Sequence, residues 1–271
     1  MDERYFSQNG EDFLLSRYFS AGSGVFVEVG CIDGKRFSNT YHFERRGWTG
    51  LCVEAHQGYI EMLKTNRPRS IVASCAVAEC DKDAAPFYAN ARGSLSSLDP
   101  TTEERWRRDY APYFTGFQLQ SVAQRTLTTL LKAYPIGPVD VLSLDVEGSE
   151  VQALQGLDLR LFHPSVILVE SDSSEHERKI DHLLSPAGYQ CALRYAGNLY
   201  YSILPDFQAA VAGRFFPKVA LTHTRHPLDQ GGDSMTIVDI DTRIAPGDPA
   251  RVPVKPKGWR RLFGWRNPFR K

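Results

Sequence analysis

The sequence has no long apolar run, no net charge and few cysteines, and each shortage removes a class of function. No stretch approaches the roughly 18–20 apolar residues that cross a bilayer, so no membrane span is expected. Lys+Arg and Asp+Glu both number 32 in 271 residues. The balance is uneven, however. Residues 251–271 hold eight basic residues and no acid, which leaves 24 basic against 32 acidic over 1–250, a net of −8. An acidic folded part argues against a broad nucleic-acid surface, and no nucleic-acid partner is expected. The five cysteines, Cys31, Cys52, Cys75, Cys80 and Cys191, are odd in number and show no C-x-x-C spacing. That pattern points to a reducing compartment and away from a zinc knuckle. The polar N-terminus, MDERYFSQNGED, does not read as a secretory signal, so a cytoplasmic location is expected. Internal repeats and low-complexity blocks are absent too.

What the sequence does have is alternation. With 42% hydrophobic residues it can build one large α/β domain. Ser7 is expected to cap a helix carrying Phe13, Leu14 and Tyr18. Strands are expected at Val25–Val29, 51–54, SIVASCAVA (70–78), 139–144 and SVILVES (165–171). Helices are expected at 39–46, 58–64, GSEVQALQGL (148–157) and 175–184. YQCALRYAGNLYYSIL reads as two strands joined at Ala196-Gly197-Asn198. Nearly all-apolar strands separated by helices imply a parallel sheet covered on both faces, and the closing hairpin makes one strand antiparallel. The expected fold is a Rossmann-like three-layer α/β sandwich. Between the third and fourth strands an insertion, about 81–124, is rich in Ser, Arg, Asp and aromatics, as lids and substrate loops are.

In such sheets ligands bind beyond the carboxyl ends of the strands. Acids crowd those ends: Glu28 and Asp33 flank the first turn, and Glu54 ends the second strand. Asp145 and Glu147 follow the fourth, and Glu170 and Asp172 the fifth. The first turn, G-C-I-D-G, sets Gly30 and Gly34 around Asp33 but lacks G-x-G-x-x-G spacing. Asp33 would repel a diphosphate and suits a positively charged ligand, such as the sulfonium and ammonium of S-adenosylmethionine. Glu54, about twenty residues on, is placed to bond ribose hydroxyls. An ordinary strand and tight turn stays open as the alternative at Gly30–Gly34.

The stretches FSQNGEDFLL, VFVEVGCIDGKRFSNTYHFERRGWTGLCVEA, VDVLSLDVEGSEVQALQGL, VILVES and GNLYYSIL resemble, in that order, the FkbM family of methyltransferases. The resemblance covers about residues 5–204. It implies a class I fold, a seven-stranded mostly parallel sheet with a reversed last strand, and methyl transfer from S-adenosylmethionine, commonly to a hydroxyl oxygen. It also implies cofactor contacts at Glu28, Gly30 and Glu54, and an acid beside the methionine moiety or acceptor at Asp145. Gln8, Glu11 and Asp12 match the family's N-terminal motif and either close over the cofactor or cap a helix. Asn39, within Ser38-Asn39-Thr40, is either a ligand contact or part of a cap. Ile32 stands where the general pattern has a middle glycine.

A hydroxyl acceptor needs a proton acceptor or a metal. Asp145 and Glu147 are the candidate catalytic acids, and with Glu170 they are the candidate ligands of Mg²⁺ or a similar ion. In the insertion, Arg92, Ser94, Ser96 and Ser97 suit a sugar or an anionic acceptor, or a plain solvated loop. Trp106, Tyr110, Tyr113 and Phe114 suit either a sugar-stacking lid or a packing helix. His223 and His226 read as surface histidines, and His56 as a residue near the adenine. The tail holds Trp259, Leu262, Phe263, Trp265 and Phe269 among basic residues. It has the composition of a segment that touches an anionic membrane, 255–271, or of a free or docked arm.

The expected organisation is a methyltransferase domain over 1–205, an extension over 206–246 and the basic tail over 247–271. The expected acceptor is a hydroxyl on a glycan or glycolipid precursor, with a small secondary metabolite as the alternative. A nicotinamide-dependent oxidoreductase and a non-catalytic nucleotide-binding protein are the rivals.

Overall fold

A computed structural model of the chain describes residues 4–20, 22–111, 113–226 and 232–242. The elements run α1 (Glu11–Tyr18), β1 (Val25–Val29), α2 (Tyr41–Arg45), β2 (Thr49–Glu54), α3 (Ile60–Asn66), β3 (Ser70–Ser74) and β4 (Ala76–Val77). Next come β5 (Lys82–Ala89), α4 (Thr102–Tyr110), β6 (Gln118–Arg125), α5 (Leu127–Ala133), β7 (Val141–Leu144), α6 (Glu150–Gln155) and β8 (Val166–Glu170). The chain continues through α7 (Ser174–Leu184), β9 (Gln190–Tyr195), β10 (Asn198–Ser202), α8 (Phe207–Val211), β11 (Arg214–His223) and β12 (Ser234–Asp241).

Seven strands form one sheet in the order β3-β2-β1-β7-β8-β10-β9. Pairings among β3, β2, β1, β7 and β8 are parallel, and β10 runs antiparallel to both β8 and β9. This is the expected three-layer architecture. The reversed strand lies inside the sheet, with β9 at the edge, because the short turn at Ala196-Gly197 forces a hairpin and β10 takes the place beside β8.

Alternating strand residues feed two cores, which is why the strands read as continuous apolar runs. Val27, Val29, Leu142 and Leu144 face α5, α6 and α7 through residues such as Leu127, Leu154 and Ile180. Phe26 and Val141 face the other layer, with Leu14 of α1, Phe43 of α2 and Phe207 of α8. Each such fully buried side chain contributes about 1.5–3 kcal/mol. Val219 and Leu221 of β11 and Ile240 of β12 join that second core, and Tyr5 forms a bridge with Leu221. The two-stranded β11–β12 ribbon therefore packs on the sandwich through a shared core.

Two local expectations change. SIVASCAVA is two strands: after Ser74 the Cys75 amide still bonds the Glu54 carbonyl, then β4 leaves to pair with β6 in a separate sheet, β4-β6-β5. Its residues are apolar because they serve two cores in turn. The insertion is accordingly a small folded unit, with α4 carried between antiparallel β5 and β6. Helix α1 begins at Glu11 with Gly10 as its N-cap residue, while the Ser7 hydroxyl reaches across to accept from the Gly10 and Asp12 amides. Among the described residues, no helix is long and apolar enough to cross a membrane. The basic aromatic tail and its expected membrane contact at 255–271 lie outside the described residues.

Candidate methyl-donor and acceptor cleft

A cleft of about 1180 Å³, counting the part open to solvent, lies at the carboxyl ends of β1, β2, β7 and β8. Its floor is bare backbone. Gly30 has φ +88°, and a Cβ there would stand 1.8 Å from the Asp145 carbonyl oxygen. Only glycine fits where β1 and β7 end this close together. Two residues on, Ile32 is held at φ +49°, and its amide donates to Glu54 Oε2 at 2.6 Å. That charge-assisted bond offsets the strain of a branched residue in the left-handed region. Glu54 Oε1 accepts from the His56 amide at 2.7 Å. Burial pushes the Glu54 carboxyl up to about 7, against its amide bonds, which pull it down. Beside it runs an apolar wall of Val53, Ala55, Ala76, Val77 and Phe87.

Asp145, Glu147 and Glu170 line the other end. Glu147 is itself left-handed, φ +55°, and meets a second left-handed residue, Leu95 at φ +73°. The Leu95 amide donates to Glu147 Oε1 at 3.3 Å, and the Ser97 hydroxyl donates to the Glu147 carbonyl at 2.9 Å. The insertion thus grips the turn after β7. Tyr110, Tyr113, Arg92, Ser94 and Ser96 bring the insertion into the cleft wall. Trp106 and Phe114 turn inward instead and pack with Leu95.

Glu150, the last acid of D-V-E-G-S-E, is 1% exposed. Its Oε1 accepts from the Val146 and Gly148 amides at 3.0 and 3.2 Å. Burial first, and the charge of Glu170 second, push its carboxyl up to about 8. One oxygen each of Asp145, Glu150 and Glu170 lie within 4.8 Å of one another. The expected ligand set of Asp145, Glu147 and Glu170 is therefore not the set that converges. The turn through left-handed Glu147 and Gly148 folds the chain back so that Glu150 faces the other two acids.

A family model for the methyltransferase FkbM domain matches residues 28–191, about three fifths of the chain. This chain belongs to the FkbM methyltransferase family. It is an S-adenosylmethionine-dependent enzyme, which removes the oxidoreductase and non-catalytic readings. Comparison with curated proteins gives no match. Among solved structures, an O-methyltransferase from Bacillus cereus in complex with SAH is 14% identical, with TM-score 0.34, covering 86% of this chain and 81% of that one. The precorrin-6y C5,15-methyltransferase of Geobacter metallireducens is 10% identical, TM-score 0.37, covering 85% and 83%. Aeropyrum pernix fibrillarin with bound S-adenosyl-L-methionine is 14% identical, TM-score 0.36, covering 74% and 82%.

The other expected site residues of this FkbM methyltransferase divide. Gln8 lines the cleft. Its loop is locked because Asp12 accepts from the Ser7 hydroxyl and the Phe6 amide, and Glu11 accepts from Asn9 and Asn198. Burial pushes the Asp12 carboxyl up to about 7. Glu28, Asp33, Gly34 and Asn39 do not line the cleft. Strand alternation turns Glu28 to the opposite face, where it accepts from Ser38, Asn39, Thr40 and Arg67. Asn39 Nδ2 donates to Ser143, the register partner of Glu28. Asp33 Oδ1 accepts from the Lys35 and Arg36 amides, closing the turn. Gly34 makes room for Arg67, whose Cγ would lie 2.6 Å from an added Cβ.

His56 is committed through Nε2 to the Asn90 carbonyl and through Nδ1 to the Gly58 amide. His223 and His226 are buried, 9% and 1% exposed, and not surface residues. Their signal in sequence was the apolar alternation of β11 leading up to them. Arg36 also lines the cleft and was not singled out. Only its position just beyond the glycine turn could have marked it.

Proposed function

We propose that this enzyme transfers the methyl group of S-adenosylmethionine to a hydroxyl oxygen of a sugar-containing acceptor, a glycan or glycolipid precursor. The observation that carries the reading is one cleft with two ends: Glu54 and an apolar wall at one, Asp145, Glu147 and Glu170 under the serines and tyrosines of the insertion at the other. When bound, the donor supplies a methyl on a sulfonium, and its displacement leaves a neutral thioether. Glu54 holds the ribose hydroxyls, and the apolar wall receives the adenine. The backbone floor at Gly30 and Asp145 lets the donor approach closely while the insertion excludes water, so that positioning and desolvation do most of the work.

The acceptor hydroxyl forms its new bond to carbon as the carbon–sulfur bond breaks, and its proton passes to a carboxylate. Glu147 is suited to take that proton, because its carboxylate faces the cleft and its backbone is gripped by the insertion. Asp145, Glu150 and Glu170 would hold a divalent cation, whose chemistry is to lower the pKa of an acceptor hydroxyl. Three convergent carboxyl oxygens fit such an ion.

Calorimetric titration with S-adenosylmethionine, S-adenosylhomocysteine and NADH tests the donor half. The first two are expected to bind at about micromolar strength or tighter, and NADH not at all. Binding of NADH alone would sink the reading. For the acceptor half, a panel of glycans is assayed with the wild type, E147Q and D145N. Turnover on a sugar hydroxyl, lost in E147Q while donor affinity is kept, is expected. Full turnover by E147Q would remove Glu147 as base.

A further inference from the structure

The β11–β12 ribbon lies outside the family-matched residues 28–191 and has no part in the transfer step, yet the segment after β11 reaches the loop that walls the cleft. The Tyr88–Ser97 bridge closes the root of that loop, residues 89–96, and its Gly93, Ser94, Leu95 and Ser96 line the cleft. Three successive carbonyls in the loop are held by side chains from elsewhere. Asn90 accepts from His56 Nε2 at 3.0 Å, Ala91 from the Tyr59 hydroxyl at 3.1 Å, and Arg92 from His226 Nε2 at 3.2 Å. His56 and Tyr59 follow β2, whereas His226 follows β11. A carbonyl only accepts, so each imidazole carries a proton on Nε2. The Tyr59 hydroxyl, its own proton directed at Ala91, lies 2.7 Å from His226 Nε2 and accepts from it. His226 is 1% exposed, so water does not compete for that N–H. Immediately beyond the three carbonyls Gly93 has φ +75°, and a Cβ there would stand 2.8 Å from Tyr59 Cε2 and 2.9 Å from Ile32 Cγ2. The loop is thus pressed onto Ile32, whose amide bonds Glu54, before left-handed Leu95 and then Ser97 bond Glu147. It runs from the donor end of the cleft to the acceptor end. A left-handed leucine persists only where its surroundings over-determine it, and the three gripped carbonyls come just before it.

We propose that His226 is a positioning residue for methyl transfer: its Nε2–H fixes the 89–96 loop through the Arg92 carbonyl and the Tyr59 hydroxyl, and the loop aims Glu147 at the acceptor. This rests on the reading of Glu147 as base and deepens it by giving the β11–β12 ribbon a function. The ribbon braces the cleft wall from outside the central sheet. Arg36 Nη1, donating to the Thr224 carbonyl at 3.2 Å, ties the same segment to the turn after β1. The brace bears on the loop and not on the donor contacts at Glu54 and Gly30, so transfer depends on it more than donor binding does.

The full chain is compared as wild type, H226Q and H226F. Gln carries a side-chain N–H near the place of the imidazole Nε2–H, and Phe keeps a ring without a donor. In H226F the amides of residues 93–97 are expected to exchange with deuterium about tenfold or more faster, while β1 and β7 keep their protection. S-adenosylhomocysteine is expected to bind H226F within about twofold of the wild type. On the acceptor found with the glycan panel, kcat should fall about tenfold or more at unchanged donor KM. H226Q should recover most of the protection and most of the turnover. Unchanged exchange at 93–97 in H226F overturns the brace. Exchange that rises equally in β1 and β7, or an H226Q no better than H226F, also overturns it, because His226 would then be a general packing residue. If H226F does not fold, Y59F reads the same loop, since it removes both the Ala91 grip and the oxygen that accepts from His226 while keeping the ring under Gly93. Faster exchange at 93–97 is expected there too, and unchanged exchange overturns the proposal. The exchange readout needs no acceptor, so failure of the base reading looks different: the loop loosens in H226F and tightens in H226Q, while E147Q keeps full turnover.

Discussion

Two groups of carboxylates sit in this fold, one wholly buried and one with only Glu150 buried, and they are held in opposite ways. On one face of the sheet, Glu28 and Glu44 close on Arg67, at 3.0 and 2.5 Å, and all three side chains are 5% exposed or less. Ser38, Thr40 and Ser70 hydroxyls fill the remaining acceptor sites. Beyond the ends of β7 and β8, Asp145, Glu150 and Glu170 converge, with the His176 ring 3.5 Å from Glu150 as the basic group next to Glu150. A buried acid matched by a cation and hydroxyls is a strut. A buried acid pressed by burial and a neighbouring acid, as Glu150 is by Glu170, must keep a proton or take a cation, and either state is usable chemistry. The same residue type is architecture on one face and reactivity at the other end.

The largest expected effect comes from breaking the strut. R67A leaves two carboxylates buried without their cation, which costs about 3–5 kcal/mol. Chemical denaturation should report that loss, with a marked drop in folding yield. A loss under about 1 kcal/mol would mean that the hydroxyls alone satisfy Glu28 and Glu44.

The opposite sign is expected at the acid cluster. The folded-state value of Glu150, about 8, lies above the ordinary 4.5, so the folded protein holds this proton more tightly than the unfolded chain. The stability linked to it is fully present below about pH 4.5 and is lost as pH rises towards about 8. E150Q keeps an acceptor for the Val146 and Gly148 amides without the charge. It should therefore be more stable than the wild type at pH 8–9, by a few kcal/mol, and equal to it near pH 4. Thermal unfolding across that range reads the difference directly. Added Mg²⁺ should raise the wild-type midpoint and not that of E150Q if the cluster takes a cation. A pH-independent difference between the two proteins would remove the proton from the account.

That contrast also explains what was legible in the sequence. Glu54, Asp145, Glu147 and Glu170 could be found because parallel strands deliver their carboxyl ends to one rim, although Asp172, just past β8, pairs with Arg105 and does not line the cleft. Gly30 could be found because a glycine ending a buried strand reports a close approach. Glu28 and Asn39 belong to the same motifs, yet a strand's alternation sends every second residue to the far face, and the sequence does not say which face carries the ligand. Arg67, the partner that decides the role of Glu28, lies 39 residues away in a plain polar turn, NRPRS. Glu150 falls within the expected helix 148–157 with nothing to mark it, since nothing local reveals that Glu147 and Gly148 both take left-handed conformations and swing it inward. The two halves of SIVASCAVA could not be separated, because apolar residues look alike whichever sheet buries them.

Glu54 stands between the two groups and gives a smaller, finer test. It accepts two backbone amides, as a strut does, and yet burial lifts its carboxyl to about 7, as at the acid cluster. If it bonds ribose hydroxyls, its ionised form is the better acceptor. Affinity for S-adenosylhomocysteine should then rise between pH 6 and 8, by roughly threefold to tenfold. E54Q should bind more weakly and show a flat profile over the same range, while E54A should lose about tenfold or more at pH 8. An E54Q profile that rises like the wild type's would assign the titration to another group, and Asp12, also near 7, would be the next to replace.

The smallest expected effect lies at the joint between insertion and sheet. Ser97→Ala removes the hydroxyl that donates to the Glu147 carbonyl and accepts from the Asp99 amide, two bonds that each contribute about 0.5–1.5 kcal/mol. Global stability should fall by no more than the sum of the two. If the bond holds Glu147 in its left-handed turn, turnover should fall more than stability does, while donor affinity stays put, because Glu54 and Gly30 are untouched. A matched small fall in stability and turnover would make Ser97 part of the strut. A fall confined to turnover would place the insertion on the reactive side of the comparison, as the element that aims the base.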